Sequence, residues 1–160
     1  MQGSFKQAAI IYVDALKNKP SDPALIAVAS NNSVVLNKDQ NMFDSKKKIR
    51  AAMADACEHK LTSRQKKSIA FNNCLLALFT NQSDFNQLLV KLVAKYPDLE
   101  YKSLLINASQ QVKDKKYRDA VELFQKFALK HKDSTLETKF AIVQLHLLNV
   151  SLFMLINAVL

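Results

Sequence analysis

A chain of 160 residues with one glycine and three prolines has too few breakers for a hairpin-rich β protein, and its 49% hydrophobic content excludes wholesale disorder. Lys and Arg number 23 against 14 Asp and Glu, a net charge of +9 that suits anionic partners such as RNA, acidic peptides or an anionic membrane surface, although lysine is also the ordinary solvent-facing residue of a helix. The two cysteines, Cys57 and Cys74, form no CxxC pair, which fits packed, reduced thiols in a cytosolic protein.

The first predicted element follows Gly3. Phe5, Ala8, Tyr12, Ala15 and Pro20 fall at offsets 0, +3, +7, +10 and +15, and Tyr117, Ala120, Phe124 and Phe127 repeat the first four. This spacing resembles the second helix of a tetratricopeptide (TPR) unit, in which the aromatic fills the groove between helices and the alanine lets a neighbour approach closely. Gly3 to Lys19 is then read as the turn and second helix of a repeat, so the chain is expected to start mid-repeat. Pro20, Asp22 and Pro23 break that helix. Ser21 or Asp22 caps the next, with Pro23 at its first position, and it runs to about Asn37 over Leu25, Ile26, Ala29, Val35 and Leu36.

Lys38 to Met42 reads as a polar loop. Asp44 or Ser45 is expected to cap a third helix burying Ile49, Ala52, Met53 and Ala56 at i, i+3, i+4 and i+7. Lys46, Lys47, Lys48 and Arg50 would crowd its first turns against the helix dipole. Thr62 or Ser63 caps a longer helix to about Thr80, through Ile69, Leu75, Leu76 and Phe79. A turn at Asn81 to Ser83 leads into a helix from Asp84 to Tyr96, carrying Phe85, Leu88, Leu89, Leu92 and Val93 and ended by Pro97. Tyr101 to Val112 and Tyr117 to Lys130 form the clearest complete hairpin. From Phe140 to Leu160 there is no Asp, Glu, Lys or Arg over 21 residues. That length reaches across a bilayer, but Gln144, His146, Asn149, Ser151 and Asn157 interrupt it, and two packed helices meeting near Asn149 to Ser151 fit better. Its outer face, at Leu152 and Leu155, is a candidate self-association surface, making a homodimer plausible.

The motifs of catalysis are missing. A phosphate loop needs several glycines for close backbone approach, and Gly3 alone cannot build one. Cys57 and His59 are close, but Cys74 and His131 are too distant in sequence to complete a zinc signature. Asp55 and Glu58 read as solvated charges, and His131 as a helix C-terminal residue matched to the dipole. A non-enzyme without cofactor or metal is expected. One TPR subclass grips acidic C-terminal peptides with Lys and Asn on successive first helices. Here the equivalent pairs are Ala27 with Asn31 and Leu105 with Ser109, so the lysine is absent. Asn31, Asn32, Asn72 and Asn73 are instead placed to hydrogen-bond a partner backbone from an inner groove. Lys46, Lys47, Lys48, Arg50, Lys60, Arg64, Lys66 and Lys67 form a candidate RNA or anion surface.

The run Asn37-Lys38-Asp39-Gln40-Asn41-Met42-Phe43-Asp44-Ser45-Lys46-Lys47-Lys48 resembles a segment of the large TPR subunit family of the signal recognition particle. Leu25 to Asn32, Phe71-Asn72 with Leu75-Leu76-Ala77, and Thr80-Asn81-Gln82 follow the same family in order, and the similarity runs from about residue 2 to 146. The resemblance implies a cytosolic ribonucleoprotein subunit that pairs with a second large protein subunit on the particle's RNA. Such a subunit helps bring ribosomes making secretory proteins to the endoplasmic reticulum.

Together these readings predict an all-α, TPR-like helical-hairpin solenoid, a right-handed superhelix of about nine helices. It is read as one domain over residues 1–160, with an atypical apolar tail from about 147 to 160. The expected function is a protein-interaction scaffold within the particle. An auxiliary RNA-binding surface and a tail-anchored adaptor are the alternatives.

Overall fold

The computed structural model describes residues 4–37, 40–131 and 138–148. Secondary structure among them is entirely helical: α1 (Phe5–Lys17), α2 (Pro23–Asn37), α3 (Met42–Ala52), the single turn α4 (Asp55–Glu58), α5 (Ser63–Phe79), α6 (Phe85–Lys95), a 3₁₀ turn (Pro97–Leu99), α7 (Glu100–Lys113) and α8 (Tyr117–Lys130). Residues 138–148 are helical as well. Helices joined by short polar turns make this the architecture of a TPR-like solenoid. The expected self-association residues Leu152 and Leu155 lie outside the described residues, as does most of the apolar tail. No described helix is long and apolar enough to cross a membrane.

The chain divides into two compact units, Met1–Leu88 and Leu89–Leu160, with the boundary inside α6. In the first, α2 packs against α1, α3, α4 and α5. Crowding on so many sides selects small residues: Ala27, Ala29, Ser30 and Ser33 are buried, and the Ser33 hydroxyl donates to the Ala29 carbonyl at 2.8 Å. Leu25 and Val35, expected in the core, are exposed instead. The core proper joins Ala27 and Val34 to Ile49, Ala52, Cys57, Leu61, Ile69 and Leu76.

The third helix starts earlier and stops sooner than its apolar spacing predicts. Asn41 caps it in the left-handed conformation (φ 49°), which asparagine tolerates, and its side chain accepts from the Asp44 amide at 3.2 Å. The first turn therefore holds Asp44, and Lys46 to Lys48 sit beyond it, which removes most of the expected conflict with the dipole. The chain leaves the helix after Ala52, and Ala54 is extended. Met53 and Ala56 then face solvent, and Cys57 takes the inner position, its thiol donating to the Pro23 carbonyl at 3.3 Å.

In the second unit α7 and α8 pair as the TPR spacing requires. Ala120 is fully buried and Phe124 is 3% exposed, in a core with Ala108, Val121 and Leu145. A polar staple closes the hairpin at the start of α7 and the end of α8. The Lys130 ammonium donates to Glu100 Oε1 at 2.6 Å, and His131 Nε2 lies 3.1 Å from Glu100 Oε2. The His131 ring stacks on Phe127 at 4.3 Å between centroids, and Phe127 meets Tyr101 at 5.5 Å. Sequence reading assigned His131 to the helix dipole alone. Its acidic partner is 31 residues away and is brought near only by the antiparallel fold.

Candidate partner cleft

Asn31 and Asn32 are neighbours on α2, about 100° apart around the helix, so they serve different neighbours. Asn31, 4% exposed, accepts from the Asn72 carboxamide of α5 at 2.9 Å. It donates to Asn32 Oδ1 at 3.2 Å, and Asn32 in turn donates to the Tyr12 hydroxyl of α1 at 3.0 Å. Four polar side chains from three helices thus form one continuous hydrogen-bond relay. Buried amides linked in this way polarise one another, and each group's desolvation is offset by a partner.

The relay floors a cleft of about 580 Å³. Ser4, Ser68 and the four relay residues supply its polar lining. Phe5, Ala8, Val35 and Leu36 supply an apolar wall. Its volume lies within the range of ligand pockets, but its lining holds six polar residues beside four apolar ones. None of the described residues lining it is charged. The TPR spacing accounts for part of the wall, because Ala8 and Tyr12 are among the half-buried positions of α1. Phe5, the first aromatic of the spacing, is 74% exposed at the cleft edge.

Three of the four asparagines expected in a groove therefore come together, and Asn73 does not line the cleft. Tyr12, which sequence reading treated as packing, completes the relay. The aromatic–small spacing already placed it on the inner face of α1, but nothing in the sequence joins it to Asn32.

The basic residues are less concentrated. Phe43, Lys47 and Arg50 share one exposed stripe of α3, with the Lys47 ammonium 4.4 Å above the Phe43 ring. Lys48 is turned to Asp44 in an ion pair at 2.9 Å. Lys60 and Arg64 are exposed, while Lys46, Lys66 and Lys67 are half-buried.

No known family model matches the chain. Individual proteins do. The signal recognition particle subunits SRP72 of human and dog are each 38% identical over 146 residues, covering 91% of this chain. By sequence, this segment is similar to a stretch of these SRP72 subunits. SRP72 of Schistosoma mansoni is 35% identical over 148 residues, again covering 91% of the chain. The chain spans about a fifth of the length of these curated relatives: 22% of the human and dog SRP72 subunits and 21% of the fluke protein. At 91% of this chain, the similarity to SRP72 enters both compact units and takes in the α7–α8 hairpin.

Proposed function

We propose that this SRP72-like repeat segment is a protein-interaction scaffold of the signal recognition particle. It supports assembly with the particle's other large protein subunit, and through it co-translational targeting to the endoplasmic reticulum. The work is binding rather than catalysis, carried out in the cytoplasm on particles that meet ribosomes and the reticulum surface. The observation that carries this reading is the relay-floored cleft of Tyr12, Asn31, Asn32 and Asn72 in a chain that resembles SRP72. An open cleft that joins hydrogen-bonding amides to an apolar wall suits a polypeptide partner better than a phosphate backbone.

The test mixes the purified chain with the purified second large subunit in the absence of RNA. The expected result is a stable complex by light scattering, with affinity that changes little between low and moderate salt. Failure to associate without RNA would sink the scaffold role.

A second reading has one observation in its favour. The exposed Phe43 ring capped by Lys47, with Arg50 on the same stripe, pairs an aromatic with cations as single-stranded RNA sites do. Binding of the chain to particle RNA that weakens steeply with added salt, and weakens further in Lys47→Ala, would support it.

A further inference from the structure

We infer that the cleft between α1, α2 and α5 takes an uncharged stretch of polypeptide, holding its main-chain amides at Tyr12 and Asn72 and one bulky apolar side chain against Phe5. The inference rests on the cleft being a protein-partner site and adds the chemistry of what enters it.

Charge decides first. The chain carries +9, yet no charged residue is among the described residues lining the cleft. An anion placed there would lose hydration with no cation to replace it, so acidic tails and phosphates are disfavoured. The hydrogen-bond inventory decides next. The relay runs in one direction, from the Asn72 amide through Asn31 and Asn32 to the Tyr12 oxygen. Its two ends are therefore different. Tyr12 accepts from Asn32 and retains its own hydroxyl proton to donate, while Asn72 donates to Asn31 and retains a carboxamide oxygen to accept. The ends can therefore serve different peptide groups of an entering chain, a carbonyl at Tyr12 and an N–H at Asn72, since each peptide unit presents one of each.

The apolar wall completes the match. Phe5 and Val35 line the cleft but are exposed, so neither is required by the core. Large apolar groups kept at the rim of an uncharged cleft offer a seat for an apolar side chain of the partner.

The probe is a pair of short peptide arrays, acetylated and amidated at their ends. One contains uncharged sequences with a bulky apolar residue, and the other has matched sequences bearing several carboxylates. The full chain is screened against both, and binders are titrated by fluorescence anisotropy. Uncharged peptides should bind, with affinity changing by less than about twofold between low and moderate salt, as expected without phosphate-type contacts. Phe5→Ala should weaken them about tenfold, the loss of one significant interface contact. Tyr12→Phe should weaken them about fivefold, the worth of one hydrogen bond. Phe5 is too exposed for its truncation to move the unfolding midpoint, so a loss of binding in that variant reports the cleft and not the fold. Preference for the carboxylate array, absence of uncharged binders, or binding indifferent to both substitutions would overturn the inference. If the second large subunit is captured while no uncharged peptide binds, the inference fails and the scaffold role stands. If uncharged peptides bind in the cleft but the subunit is not captured, the scaffold role alone fails.

Discussion

Glu100 shows how a single side chain can close a hairpin. The hydrogen bond from Lys130 is the main influence on its carboxyl, helped by the charges of Lys130 and His131 and opposed by partial desolvation, and the balance holds it below the usual glutamate range. A carboxylate with a lowered folded pKa contributes stability that is complete above the unfolded value of about 4.3 and is lost as pH falls through the folded one. Thermal unfolding of wild type and Glu100→Gln should therefore differ most near neutral pH, and the two curves should converge as the solution is made acidic. A gap that stays constant from neutral to acidic pH would show that Glu100 acts through packing. At this scale the sequence was legible where spacing alone sets the environment, as at Ala120 and Phe124. It misled at Leu25 and Val35, because apolar content does not tell which face of a helix surrounded by four neighbours is crowded. Asn31 is the converse case, a polar residue inside because Asn72 and Asn32 satisfy it.

Among the elements, α5 has the best-defined start. Thr62 Oγ1 accepts from the Gln65 amide at 3.3 Å, and the Gln65 side chain returns to the Thr62 amide at 2.8 Å, a capping box that ties down two otherwise orphan donors. Thr62→Ala should cost about 1 kcal/mol, read as a lower denaturant midpoint with an unchanged slope. A change within error would show that the box is redundant with the packing of Ile69 and Leu76. Thr62 was readable because a cap obeys a local rule. The start of α3 was not, since Asp44 and Ser45 are also good caps and only the left-handed turn at Asn41 selects among them. The break after Ala52 was hidden for the same reason. The apolar period runs on through Met53 and Ala56, whereas the backbone turns to seat the Cys57 thiol against the Pro23 carbonyl.

Across the molecule, both compact units are built from helical hairpins, and the likeness to SRP72 runs through both. The fold class was readable from composition and the repeated aromatic–small spacing, and the likeness to SRP72 from the run around Asn37 to Lys48. The cleft was half readable. Its asparagines stand out in the sequence, but their alignment with one another and with Tyr12 requires α2 to lie between α1 and α5, which no local pattern states. The most direct measurement captures partners of the full chain from cytosol, with and without ribonuclease, and probes for the second large subunit of the signal recognition particle. Asn72→Leu is run in parallel to break the relay. Capture by the wild-type chain that survives ribonuclease and falls in the variant is the predicted result. Capture abolished by ribonuclease, or equal in both chains, would contradict a protein scaffold working through the cleft.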